Sequence, residues 1–218
     1  AIHILTRNPE ALTSYDWESN TSAVARAHHA VALKRLSPQG QADIIPLLLN
    51  DASEDVRFTG IKWIADEGLS QYRPNLEQLL NRTDTSRRSL PAVIAALDRI
   101  SGSSKGEFSP SDTMLKLATD DSRPAALRAL ALQSVNIDHK SLTIEILDMI
   151  AGSQDVAIQR EAIRSLTLHS DAKRGSVLGR LATDASIDPN LRADAIAGLA
   201  EFSSDYATML EELAKDKN

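Results

Sequence analysis

The sequence contains no cysteine and few aromatic residues, and no stretch of it is long and apolar enough to span a bilayer. The absence of cysteine excludes disulfides, thiolate metal sites, cysteine nucleophiles and covalent attachment of a c-type haem within this stretch. Aromatic residues make up 4% of the chain and all hydrophobic residues 42%, so Ala, Leu, Ile and Val must build the core. Such a composition is typical of closely packed short helices.

The charge balance limits the classes of partner. The chain carries a net charge of −6 and a pI near 5.4, so its average field repels phosphate backbones and anionic membranes. We therefore expect neither nucleic-acid binding nor membrane insertion. The sequence starts without Met and shows no signal-peptide pattern, which indicates processing or excision from a longer protein.

One pattern recurs along the chain and is clearest in residues 50–67. A polar turn containing Asp51 and Asp55 is followed by a helix that begins with Val56 and Arg57. We take Arg57 as the register mark, the reference position of its repeat. The equivalent positions of all repeats lie 31 to 40 residues apart and are Arg26, Arg57, Arg88, Arg128, Gln159 and Arg192. The positions one before, four after and seven after each mark are apolar, with Arg87 as the one exception in eighteen. The chain is therefore predicted to be a repeat protein.

Each repeat reads as a pair of helices, and no segment alternates with the period of a strand. We predict an all-α fold, a right-handed α-α superhelix of about six two-helix repeats that forms a single solenoid over 1–218. Residues 1–21, with Tyr15 and Trp17, are expected to cap the first repeat, and the helix at 205–215 is expected to cap the last. Residues 101–111 are predicted to be a long inter-repeat loop.

Pro46 is expected to kink the first helix of the second repeat or to make it start late, and Gly68 is expected to end the second helix. Pro91 is expected to kink the second helix of the third repeat, which is predicted to begin at Arg87.

The two-helix unit, with an Asp in its turn and Val-Arg at the start of its second helix, resembles the HEAT repeat over about residues 22–215. The resemblance implies that Asp51 and Arg57 join a hydrogen-bonded ladder between adjacent repeats. The structural register residues are then Arg26, Asp51, Arg57, Arg88, Arg128 and Arg192. Asp120 and Asp184 stand eight residues before their marks and Gln159 replaces an arginine, so we expect the ladder to be incomplete there.

Three segments are similar to the HEAT module of large bacterial envelope proteins that carry a sugar-dehydrogenase-like β-propeller and a c-type haem domain. These segments are IKWIADEGLSQYRPNLEQLL, LPAVIAALDRISG and LRADAIAGLA. The resemblance implies a connector in a larger redox protein of the periplasm or cell envelope. Without it, a cytoplasmic location is expected.

Little in the sequence points to catalysis, a metal or a cofactor. His28 and His29 are the only adjacent histidines, and neighbouring helix residues point about 100° apart, so the pair cannot easily chelate one ion. The loop at 101–111 lacks the spacing of a phosphate-binding loop. HEAT-like DNA glycosylases and other solenoid enzymes are the alternative class, but a glycosylase needs a basic face and aromatic residues to hold a base. We expect a non-catalytic chain without a cofactor.

The second helices are expected to line the concave face and to bind a protein partner or a flanking domain of a longer chain, with the isolated chain monomeric. Positions two and five after the marks project from that face. The candidate partner surface consists of His28, Lys62, Leu90, Leu130, Gln133 and Arg164. Leu90 and Leu130 are apolar at positions expected to face solvent, which favours the middle of the chain as the contact.

Overall fold

The computed structural model describes residues 15–17, 22–36, 44–82, 84–102 and 109–215. These residues form twelve α-helices and two short 3-10 helices, and none of them forms a strand, which confirms the prediction of an all-α chain. The chain divides into two compact units, Ala1–Pro110 and Ser111–Asn218.

The first unit contains three second helices of the predicted repeats and two first helices. The helices are α1 (Ala23–Leu36), α2 (Ile45–Leu49), α3 (Glu54–Glu67), α4 (Arg73–Leu79, after the 3-10 helix Ser70–Tyr72) and α5 (Ser89–Ser101). The second helices α1, α3 and α5 pack in sequence, and α2 and α4 pack on α3 and α5. The core is aliphatic apart from Trp63, which is fully buried among Ile61, Ile64 and their neighbours.

The second unit repeats this arrangement. Its helices are α6 (Pro110–Thr119), α7 (Ala125–Gln133), α8 (Ile144–Ala151), α9 (Val156–Leu168), α10 (Arg174–Thr183), α11 (Pro189–Gly198, followed by the 3-10 helix Ala200–Phe202) and α12 (Ala207–Lys215). The second helices α7, α9 and α11 pack in sequence, and α8 and α10 pack on α9 and α11. Within each unit, successive helix pairs therefore pack on one another.

Two local features follow from the sequence around α2 and α3. Pro46 lies in the first turn of α2, where its missing N–H costs no helical hydrogen bond, so α2 begins late, as predicted. Gly60 lets α2 approach α3 closely, since a Cβ at this position would lie 2.9 Å from the Cβ of Leu48. Gly68 ends α3 in the left-handed conformation with φ of 64°, which also agrees with the sequence prediction.

The register of the third repeat differs from the prediction. Helix α5 begins at Ser89, and Ser89, Leu90, Val93, Ile94 and Ala96 are buried. Helix α3 shows the same burial pattern 33 residues earlier, at Val56, Arg57, Gly60, Ile61 and Trp63. Leu90 therefore occupies the position of Arg57, and the assignment of Arg88 as the register mark was wrong.

Pro91 explains part of this difference. It is the third residue of α5, inside the first turn, where backbone N–H groups have no partner within the helix. The expected interruption at Pro91 was wrong because the helix begins two residues later than predicted. Arg88 precedes the helix and is exposed, with its guanidinium 4.3 Å from the centre of the Phe58 ring.

Three predicted segments, at 1–21, 101–111 and 205–215, lie outside the repeats themselves. Helix α5 extends to Ser101 and α6 begins at Pro110, so the two helices include both ends of the predicted loop at 101–111. Residues 103–108 and most of the predicted cap at 1–21 lie outside the described residues. The C-terminal capping helix was predicted at 205–215 and runs from Ala207 to Lys215.

Candidate interaction faces

The register arginines of the first unit join successive repeats. The Arg26 guanidinium of α1 donates two hydrogen bonds to the Asp51 carboxylate, at 2.6 and 2.8 Å. Both side chains are nearly buried, with 12% and 5% exposed. Burial alone would raise the pKa of Asp51, but the bonds from Arg26 and from the Ser53 amide hold that pKa below its ordinary value.

Arg57 makes the next step of this ladder. Its guanidinium donates to the backbone carbonyls of Asp51 and Ala52, at 2.8 and 2.9 Å, and lies 3.3 Å from the Asp84 carboxylate. Asp84 stands six residues before Leu90, as Asp51 stands six before Arg57. The hydrogen bond from Arg82 is the main cause that lowers the pKa of Asp84 to about 2. Asp84 was not predicted from the sequence, because the mark of its repeat was misplaced by two residues.

The register residues of the second unit bond within their own repeats. Arg128 donates to the Ala118 carbonyl at 3.1 Å and pairs with Asp121 at 2.6 Å. Gln159 donates to the Ala151 carbonyl at 2.8 Å. Both therefore satisfy a carbonyl at or near the C-terminal end of a first helix, as Arg57 does in the turn after α2. The Nε of Arg192 is buried and has no hydrogen-bond partner among the described residues.

Arg174 is a buried cation that the repeat pattern does not predict. It begins α10, and its guanidinium bonds to the Thr167 carbonyl and to the Glu201 carboxylate. The same group lies 5.0 Å from the centre of the Phe202 ring. Arg174 thereby joins the end of α9 to the 3-10 helix after α11.

An aromatic cluster covers the start of the first unit. The Tyr15 ring stacks on the His29 imidazole with centroids 3.8 Å apart, and the Trp17 ring meets both edge-on at 5.6 Å. His29 is 3% exposed, and its Nδ1 has no hydrogen-bond partner among the described residues. Burial lowers the pKa of His29, so the ring is neutral at pH 7. These contacts place Tyr15 and Trp17 against His29 on α1.

A groove runs between the second helices α1 and α3 of the first unit. It has a volume of about 430 Å³, and Val31 and Phe58 supply its apolar surface. Its rim carries Lys34, which bonds to Asp66 at 2.5 Å, and Lys62, whose side chain is 65% exposed. Burial alone would raise the pKa of Asp66, but the two ammonium groups hold it below its ordinary value.

A second groove lies between α9 and α11 of the second unit, at the same register. Its volume is about 520 Å³, and Ile163 and Ala197 form its apolar surface. Arg164 on its rim is 53% exposed and lies 3.3 Å from the Glu161 carboxylate, and Leu168 is 60% exposed. Lys62 and Arg164 both stand five residues after their marks, but Lys62 lies on the later helix of its groove and Arg164 on the earlier helix of its groove.

The predicted partner-surface residues divide into three groups. Lys62 and Arg164 are exposed on the grooves. His28, Leu130 and Gln133 are half-buried, and Gln133 donates to Glu161 at 2.5 Å. Leu90 is fully buried, so its inclusion in an exposed surface was wrong, for the register reason given above. Leu168 was not among the predicted residues, and it is the most exposed large apolar residue on either groove.

No other chemical centre stands out within the described ranges. They contain no cluster of three or more His, Cys, Asp or Glu side chains that could hold a metal ion. None of their helices combines the length and the apolar character needed to cross a membrane. No protein-family model matches this chain, and comparison with curated proteins and with solved structures finds no similar protein.

Proposed function

We propose that this chain is a non-catalytic helical-repeat module that binds a protein partner, or a neighbouring domain of a longer chain, along its second helices. The observation that carries the proposal is the pair of grooves at one register, between α1 and α3 and between α9 and α11. Grooves between successive second helices are the kind of surface that solenoids of stacked helix pairs use for binding. The proposal includes the right-handed superhelix and the HEAT resemblance as its architectural part.

The chemistry of the grooves supports binding of a polypeptide. Each combines an apolar surface with a rim of both charges, including Lys62 and Asp66 in one and Arg164 and Asp194 in the other. An apolar centre with a polar, charged rim is typical of protein interfaces. A DNA glycosylase is the alternative class, but acidic residues interrupt the basic positions of both grooves, and DNA binding needs a continuous basic patch.

The test measures the affinity of one purified partner for matched variants. A partner captured on the immobilised chain is identified, purified and titrated against Leu168→Asp, a groove variant, and Met149→Asp, a control on the first helix α8. The two residues are matched in exposure, at 60% and 59%. We expect Leu168→Asp to weaken binding at least about tenfold, equivalent to about 1.4 kcal/mol, and Met149→Asp to leave it unchanged.

Equal affinities in the two variants, both folded by circular dichroism, would refute binding along the second helices.

The size of the native protein in its source cells distinguishes a separate protein partner from a neighbouring domain of a longer chain. A band near 23.7 kDa fits an adaptor that binds a separate protein. A band several-fold larger fits a connector, and a haem stain of that band tests the redox-protein resemblance.

A further inference from the structure

The ladder of buried cations leaves a gap between the last two repeats of the second unit. In the first unit, Arg26 at the mark meets Asp51, which stands six residues before the next mark. The equivalent residues in the second unit are Gln159 at the mark and Ser186, six residues before Arg192. Glutamine is shorter than arginine and serine is shorter than aspartate, so these two side chains fill less of the space between the repeats.

A cavity of about 210 Å³ occupies this place, and both Gln159 and Ser186 line it. The turn residues Gly152 and Ser153 line it from the preceding repeat. A cavity of about 150 Å³ admits a benzene-sized group. The space is therefore large enough for a planar guanidinium with room for water beside it.

The wall of the cavity is rich in hydrogen-bond acceptors. Gln159 is 7% exposed and donates a hydrogen bond from its Nε2 to the Ala151 carbonyl. No described residue donates a hydrogen bond to its Oε1. Asp184 uses Oδ1 to accept two bonds from Ser186, and Asp188 accepts the Asn190 amide. The Gln159 Oε1 is not among the buried atoms without a partner in the described residues, so it is open to the cavity, where water or a ligand can donate to it.

The electrostatics of the lining favour a cation. Asp184 and Asp188 contribute two negative charges and Arg180, which also pairs with Asp148, contributes one positive charge, so the charged side chains of the lining are negative on balance. Hydrogen bonds from Ser186, with help from Arg180 and Arg192 nearby, hold the pKa of Asp184 below its ordinary value. The carboxylate is therefore ionised at neutral pH.

From these observations we infer that the cavity between Gln159 and Ser186 is a binding site for a guanidinium group, supplied by a small guanidine or by an arginine side chain of a partner. The ligand takes the place that an arginine of the chain itself fills in the first unit. A guanidinium offers five donors in one plane, which suits several acceptors around a narrow space better than a compact ammonium does. This inference is independent of the proposed function, because the cavity shares no residue with either groove.

The test is a titration of the full chain, labelled with 15N, with methylguanidinium chloride at low millimolar concentration and constant chloride. We expect saturable shifts confined to amides around the cavity, Gly152, Ser153 and Ser186 among them. Methylammonium carries the same charge without the planar fork, and we expect it to bind at least about tenfold more weakly. Shifts that do not saturate, that spread over the chain, or that methylammonium reproduces at equal strength would overturn the inference.

Two variants and one control sharpen the result. Gln159→Arg places a guanidinium of the chain in the cavity, so binding should be lost and the melting temperature should rise. Gln78→Arg adds the same charge on the exposed face of α4 and should leave binding intact. Asp188→Asn keeps a good N-cap residue for α11 and removes one lining charge, so it should fold normally and bind several-fold more weakly. Unchanged binding in both Gln159→Arg and Asp188→Asn would contradict the site.

A second titration distinguishes the two sources of the guanidinium, a partner's arginine side chain and a free small guanidine. A short blocked peptide with one arginine is titrated beside methylguanidinium, with the citrulline peptide as its uncharged control. Tighter binding of the arginine peptide identifies a partner's side chain as the ligand, and equal binding identifies a free small guanidine. Binding of the citrulline peptide as strong as that of the arginine peptide would refute recognition of the charged group.

Discussion

Leu90 stands in the third repeat where Arg57 stands in the second, and both side chains are buried. Arg57 reaches the turn carbonyls of its own repeat and the Asp84 carboxylate of the next. Leu90 offers no donor, so the ladder of the first unit has two steps, Arg26 to Asp51 and Arg57 to Asp84. At the same position, the third repeat has the apolar side chain of Leu90, which is buried in the core.

The burial of Leu90 predicts a large effect on stability. Leu90→Ala should lower the free energy of unfolding by about 2 to 5 kcal/mol, because it removes buried methyl groups and leaves a cavity. Leu47→Ala is the control, since Leu47 is 54% exposed and should change stability by less than about 0.5 kcal/mol. Urea unfolding followed by circular dichroism gives both values, and equal values would contradict the register of α5 described above.

The Arg26–Asp51 pair predicts a contrast between Asp51, in the turn before α3, and Asp55, in the first turn of α3. Asp51→Asn should cost about 3 kcal/mol, because it leaves the Arg26 guanidinium nearly buried without its counter-charge. Asp55→Asn removes an ion pair with Arg88 in which the side chains are 70% and 57% exposed, so it should cost less than about 1 kcal/mol. The measurement is urea unfolding at low and high salt. A loss for Asp51→Asn no greater than that for Asp55→Asn would show that the ladder adds little.

The turn carboxylates predict acid destabilisation within a defined pH range. The pKa of Asp84 falls from 3.8 to about 2 in the folded chain, and hydrogen bonds from Ser86 and Ser89 lower the pKa of Glu54. Since these pKa values are lower in the folded state, their stabilisation is present above pH 4.5 and is lost as the pH falls from about 4.5 towards 2.

Urea midpoints measured between pH 2 and 7 test this range. Asp84→Asn should flatten part of the slope below pH 4, whereas Asp205→Asn, at an exposed position of the second unit, should keep it. An unchanged slope in Asp84→Asn would mean that other carboxylates cause the acid transition.

The stacked His29 ring predicts a second pH effect at higher pH. Burial lowers its folded-state pKa below 6.5, so the fold favours the neutral ring. This contribution to stability is complete above pH 6.5 and is lost as the pH falls through 6.5 towards the folded pKa. Melting temperatures between pH 7 and 5 should therefore fall in the wild type and fall less in His29→Phe, which keeps a ring beside Tyr15. His28→Gln should behave as the wild type, and a wild-type slope in His29→Phe would exclude His29 as the cause.

Much of the helical structure was predictable because it depends on short-range pattern. The apolar stripe at four and seven residues after each mark predicted where the second helices lie, and Pro46 and Gly68 predicted where α2 begins and α3 ends. The error at Arg88 arose because an arginine near the start of a helix looks the same in sequence whether it precedes the helix or lies inside it. Only the burial of Leu90, Val93 and Ile94 identifies the stripe that faces the core.

The sequence by itself determined that the chain is helical and repetitive, since periodic apolar residues, Gly and Pro act through neighbours a few positions away. Tertiary structure alone decided which residues meet across repeats. Arg57 pairs with Asp84, and Arg174 pairs with Glu201. Gln159 lines a cavity, whereas Arg26 and Arg57, at the equivalent positions of the first unit, pair with carboxylates. The distances between these groups depend on how successive helix pairs pack, and residues about 30 positions apart carry no local signal of that packing.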